Sequence, residues 1–159
     1  MSEREREESL ETYPETALAF EGGPRIDLHW RLDSEERREL AALELGPSFA
    51  VLTAEDPGGE DADSADDLAE RQRENTRRTL RFEELLTRRG LAFRRVVVSA
   101  PDGTHRERCL AVAVSREGAM RLAAERDQVA LFWYDRERFW LWPGQVEERL
   151  EPQPPAPAP

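Results

Sequence analysis

Three side chains in this sequence are of the types that could hold and act on an anion: Asn75, Arg78 and Glu107. A guanidinium forks onto carboxylate or phosphate, an amide orients its partner, and a carboxylate can serve as general base. Asn75 and Arg78 lie within 64–89, which reads as one long helix. Its most apolar stripe runs through Leu68, Phe82, Leu85 and Leu86. Gln72, Asn75 and Thr79 fall on that stripe, and Arg71 and Arg78 lie at its edge. Buried polar groups need partners, so the helix is expected to face a polar site or a hydrogen-bond network.

Glu107 lies on a predicted strand, 106–114. Leu110, Val112 and Val114 point one way; His105, Glu107, Cys109, Ala111 and Ala113 point the other. The small alanines suggest the face under the helices, together with Ala50 and Ala54 of the strand FAVLTA. Glu107 would then point toward Arg78. The plainer alternative is an ion pair that only fixes helix-to-sheet register, and buried pairs are weak evidence for stability. Thr53 ends FAVLTA and opens TAEDPGG. Strand ends often line sites, although Asp-Pro-Gly-Gly is also ordinary turn chemistry.

Other chemistries find little support. His105 and Cys109 are four apart, His29 is distant, and no CxxC or HExxH spacing exists, so no metal is expected. The acidic loop from Glu55 to Asp67 lacks the order of a Ca²⁺ loop. Cys109 in a strand interior reads as an inert buried thiol, and no Ser/His/Asp set is present. The run FWYDRERFWLW, 132–142, holds three of the four Trp residues. It could stack bases or dock a partner, but a hairpin covering the sheet explains it more simply.

Composition narrows the class. All 23 basic residues are Arg, and against 34 acidic residues the net charge is −11. Such a chain is repelled by nucleic acid, so no general nucleic-acid binding is expected. The Lys-free acidic composition suits a salt-adapted, GC-rich bacterium or archaeon. A local basic stretch exists at 71–95, with nine Arg and the acids Glu74, Glu83 and Glu84. No apolar run is long enough for a membrane span, and the charged MSEREREESLE does not resemble a secretory signal peptide. With one cysteine and no internal disulfide, the expected compartment is the cytoplasm.

One domain over 13–148 is expected, between a charged tail, 1–12, and a Pro-rich tail, 149–159. Strands are predicted at 17–20 and 26–32, then a helix from Asp33 or Ser34 to Leu45. FAVLTA follows, then the long helix, capped by Ser64 and stopped by Gly90. A hairpin over 91–99 and 106–114 turns at Pro101-Asp102-Gly103. Ser115 caps a helix over 116–126, and strands at 129–134 and 138–142 close the chain. From Phe49 to Tyr134 the order is β-α-β-β-α-β. This predicts an α+β, ferredoxin-like antiparallel sheet with both helices on one face. The N-terminal strand–helix unit and the C-terminal strand extend it.

Thr53-Ala54-Glu55-Asp56-Pro57 at a strand end, Glu74, Asn75 and Arg78 on a helix, Glu107 and Cys109 on a strand, then Ala119, Leu122, Ala123, Gln128 and Ala130 form an ordered set. In this set the chain resembles a bacterial family known as domain of unknown function family 3293. Its pattern has T-A-x-N-P at a strand end, here Thr53-Ala54-Glu55-Asp56-Pro57. E-N-x-x-R on a helix corresponds to Glu74, Asn75 and Arg78, and E-x-small on a strand to Glu107 and Cys109. A-x-x-L-A and Q-x-A correspond to Ala119, Leu122, Ala123, Gln128 and Ala130. Asp56 replaces the family Asn and cannot donate as an amide does; Cys109 replaces the usual Ser. The ordered set spans about 48–144 and implies no activity.

Together these readings place a ligand-binding patch at Thr53, Asp56, Asn75, Arg78, Glu107 and Gln128. The leading expectation is a cytoplasmic binding or regulatory module with no cofactor. One rival is a small enzyme acting on an anionic substrate, with Arg78 as anchor and Glu107 as general base. The other is a structural partner in a complex, using the Trp-rich hairpin.

Overall fold

Phe49–Thr53 is apolar on both faces, as a strand covered on both sides must be. The computed structural model describes residues 16–28, 32–55, 65–128 and 131–142. Its strands are β1 (Ala17–Phe20), β2 (Arg25–Asp27), β3 (Phe49–Thr53), β4 (Phe93–Ser99), β5 (Glu107–Val112), β6 (Leu131–Tyr134) and β7 (Phe139–Trp142). Its helices are α1 (Ser34–Ala41), α2 (Ala65–Arg88) and α3 (Arg116–Glu125). The strands form one antiparallel, seven-stranded sheet in the order β2-β1-β4-β5-β3-β6-β7. The expected mixed α+β class is the observed one, and the four strands expected to share a sheet with the long helix across it do so.

Two apolar clusters flank the sheet. On one face Ala50, Leu52, Ala54, Leu110, Val112 and Leu131 meet Phe82 and Leu86 of α2 and Ala119, Leu122 and Ala123 of α3. On the other, Phe49, Val51, Cys109 and Ala111 meet Leu40, Leu43 and Leu45 from α1 and its exit. The sheet curls around this second cluster. Phe20 from one side and Tyr134 and Phe139 from the other all reach the Phe49 ring, at centroid distances of 6.0, 5.0 and 5.9 Å.

Helix ends follow from local chemistry. Asp33 and Glu36 form a reciprocal capping box on α1, with Glu36 N–H to Asp33 at 2.7 Å and Asp33 N–H to Glu36 at 3.0 Å. Ser115 accepts from Gly118 N–H at 3.0 Å to cap α3. Gly90, with φ of 70°, closes α2. There Leu91 N–H bonds Leu86 O at 2.9 Å, a backbone bond that needs the left-handed residue. Helix α1 stops at Ala41, short of the expected Leu45, because Glu44 takes φ of 60° and turns the chain. Leu43 and Leu45 are nonetheless buried, which explains their apolar spacing.

Two sequence expectations are corrected. Cys109 and Ala111 lie away from α2 and α3, while Leu110 and Val112 lie under them. The register Leu52↔Leu110 puts both leucines on the helix face, and the close approach is supplied by Ala50, Ala54, Ala119 and Ala123 instead. Leu68, expected in the core stripe, is 48% exposed, because only Thr79, Phe82 and Leu86 of α2 are buried. The Ser64 cap and both tails lie outside the described residues.

The β6–β7 turn carries a pH-sensitive element. Asp135 accepts from Trp140 Nε1 at 2.7 Å and from the Glu137 and Arg138 N–H groups at 2.9 Å each. Burial alone would raise its pKa; the hydrogen bonds and the Arg138 charge outweigh it and hold the carboxyl below its ordinary value. A depressed folded pKa stabilises fully above the unfolded carboxyl range, and the contribution fades as pH falls through the lower folded value. Between about pH 6 and pH 3 the wild type is therefore expected to lose stability that Asp135→Asn does not lose, tracked by Trp fluorescence in urea. Parallel pH profiles for the two proteins would refute this.

Candidate functional site

The polar patch is built at the C-terminal end of β3. The end of α3 makes it possible. Asp127 takes φ of 54°, Asp127 N–H bonds Ala124 O at 3.3 Å, and Gln128 N–H bonds Ala123 O at 2.9 Å. This reversal turns Gln128 back onto β3 and leaves Arg126 at the helix end. Gln128 is only 2% exposed. Its side-chain amide donates to Thr53 O and its carbonyl accepts from Thr53 N–H at 3.2 Å, so it extends the β ladder with a side chain. A buried Gln without such partners would be costly.

Thr53, clamped in this way, directs its hydroxyl to Glu107, donating to the Glu107 carboxylate and accepting from Glu55 N–H at 3.3 Å. Strand alternation places Glu107 on the face of Cys109 and Ala111, opposite the face that carries α2. Glu107 is thus not directly beneath Arg78, as the small-residue argument had it. The nearby Cys109 thiol is pushed well up, by burial first and then by the charges of Glu107 and Glu55, which suits an inert thiol.

A second layer lies on the helix side. Arg108 Nε donates to Glu55 at 2.8 Å, and its Nη1 reaches Thr76 Oγ1 of α2 at 3.3 Å. Arg78 lies 3.5 Å from Glu74, with 43% of its side chain exposed. Asn75 is half-buried, and its backbone carbonyl accepts from Thr79 Oγ1 at 2.9 Å. Arg126 lies with its guanidinium 3.8 Å above the Phe82 ring centre and Nη2 3.5 Å from Ala54 O. A groove of about 500 Å³ runs beside this layer, lined by Thr76, Thr79, Leu80, Val97 and Arg108 among others. Leu80 is 49% exposed along it.

Of the expected site residues, Thr53, Glu107 and Gln128 form one connected unit, while Asn75 and Arg78 belong to the helix side of the same strand end. Asp56 lies outside the described residues. Glu55, Arg108 and Arg126 were missed. Arg108 could have been found, since it alternates with Leu110 on the helix face. Arg126 gave no signal, because an Arg at a helix end reads as a dipole complement. Much of the basic stretch 71–95 is compensated locally: Arg95 holds Glu83 through two bonds of 2.9 Å, and Arg89 holds Glu125 at 3.0 Å. No group of His, Cys, Asp and Glu able to hold a metal occurs among the described residues, and no helix there is long and apolar enough to cross a membrane.

No curated protein and no solved structure matches the chain. A family model, described as protein of unknown function (DUF3293), matches residues 52–131, half of the chain. The matched span runs from the residue before Thr53, through α2, β4, β5 and α3, past Gln128 to the first residue of β6. The described site residues, from Thr53 to Gln128, fall within the matched span, whereas β1, β2, α1, β7 and most of β3 and β6 lie outside it; the chain belongs to the DUF3293 family.

Proposed function

We propose that this protein is a small cytoplasmic, bacterial binding or regulatory module whose ligand occupies the patch formed by Thr53, Asp56, Asn75, Arg78, Glu107 and Gln128. The observation that carries the reading is Gln128. A nearly fully buried amide is spent on fixing the last residue of β3 rather than on core packing, and it holds the Thr53–Glu107 pair in place. Preorganised polar groups at a strand end, next to an apolar groove, are the common form of a small-ligand site. The net charge of −11 favours a small molecule over nucleic acid. The strand order β4-β5-β3-β6, with α2 and α3 on one face, supports a ferredoxin-like reading of the central unit. An acidic, Lys-free chain supports a salt-adapted source.

The test is a thermal-shift screen of the full chain against anionic and neutral metabolites, repeated on Thr53→Val and Glu107→Gln. At least one compound is expected to raise the wild-type Tm by several degrees, as a ligand at about 100 times its Kd does, with the shift lost in both variants. Hits that survive both substitutions, or no hit at all, would remove the patch as the site.

A further inference from the structure

The geometry points to Arg126 as the oxyanion subsite of this patch, holding a carboxylate or phosphate group of the ligand. The inference rests on the patch reading above and names the chemical class that the patch takes. Arg126 has five N–H donors. Its Nε is buried with no hydrogen-bond partner among the described residues, and Nη2 makes one long contact, 3.5 Å, to Ala54 O. No described carboxylate pairs with it: Glu55 is held by Arg108 at 2.8 Å, and Glu74 lies between Arg77 and Arg78 at 3.5 Å each. A guanidinium taken partly out of water with one long acceptor contact carries a cost that this contact only partly offsets.

Two further features raise that cost and aim the group. Burial lowers the Arg126 pKa, and the charge of Arg78 lowers it further. The Phe82 ring lies 3.8 Å from the guanidinium carbon and stacks on one face of it, and it is the edge of a guanidinium that takes a planar or tetrahedral oxyanion. An oxyanion there supplies the acceptors that Arg126 lacks.

The experiment is a titration of the ¹⁵N-labelled full chain with sodium phosphate and with sodium acetate, at ionic strength held constant with NaCl. Arginine Nε–Hε signals and the Thr53 and Gln128 amides are followed. The Arg126 Nε–Hε signal is expected to shift saturably with phosphate, acetate or both, and not with chloride; the stronger arm tells phosphate from carboxylate. Arg126→Gln is expected to weaken binding by about tenfold, with Arg126→Lys failing to restore it, because an ammonium lacks the fork. Should Arg126→Gln not fold, the wild-type Arg126 signal and Arg126→Lys decide the matter. An Arg126 signal that stays still, or moves equally with chloride, while the Thr53 and Gln128 amides respond, overturns the subsite and leaves the patch. No response at Arg126, Thr53 or Gln128 overturns both.

Discussion

Phe82→Ala is expected to lower the unfolding free energy by about 3–5 kcal/mol. Phe82 is fully buried in the apolar cluster that also holds Ala50, Leu52 and Leu110 of the sheet and Ala119 and Ala123 of α3. These neighbours are small or already engaged, so the site cannot collapse to fill the space, and the cavity adds to the lost transfer energy. The ring is also the platform for Arg126. Phe82→Leu separates the two roles. It keeps most of the volume and is expected to cost about 1–2 kcal/mol, yet it removes the aromatic face on which the guanidinium lies. Urea unfolding measures the first effect. A Phe82→Ala protein within about 1 kcal/mol of wild type would mean that α2 does not close this core as described.

The contrast between Phe82 and Leu68 shows what the sequence could and could not convey. Both lie on the apolar stripe of one 24-residue helix, and periodicity treats them alike. A helix of that length spans about 36 Å, while β3 and β5 of five and six residues reach roughly half as far. Only the C-terminal half of α2 can lie over the sheet, so Phe82 is buried and Leu68 is half-exposed. Element order, the Asp33 and Ser115 caps and the hairpins were legible because each is encoded by neighbouring residues. The face of β5 was not, since alternation gives two faces and only the register with β3 says which meets the helices.

The candidate site divides along the same line. Thr53 and Gln128 are 75 positions apart, and nothing local to Gln128 announces a bond to the end of β3. Its place in the ordered family pattern suggested it. Arg126 had neither route: no pattern position and no periodicity, only a turn at Asp127 that aims it across Phe82. Asp127 itself carries left-handed backbone that glycine would adopt more readily.

Gln128 supplies the other large effect. Gln128→Leu keeps the volume but leaves the Thr53 N–H and C=O without partners, and each such buried group costs about 1–3 kcal/mol. A total loss of about 3 kcal/mol is expected, with Thr53 and Glu107 released from their geometry. Gln128→Glu is the sharper probe. A carboxylate can still accept from Thr53 N–H, but it faces the Thr53 carbonyl with a lone pair where the amide had a donor. Only the protonated form can donate there, so the introduced carboxyl has its folded pKa raised above the unfolded value of about 4.3. The folded state then binds more protons than the unfolded one between those two values. By linkage, the variant's deficit relative to wild type is full above the folded pKa and shrinks as pH falls toward the unfolded one. Measured by urea unfolding at about pH 7.5 and pH 5, the gap between Gln128→Glu and wild type should narrow at the lower pH, whereas that of Gln128→Leu should stay constant. A Gln128→Glu deficit that does not change with pH would mean that Thr53 O does not depend on the donor. Gln128 would then be a buried amide of no consequence to β3, and the patch would lose the residue that organises it.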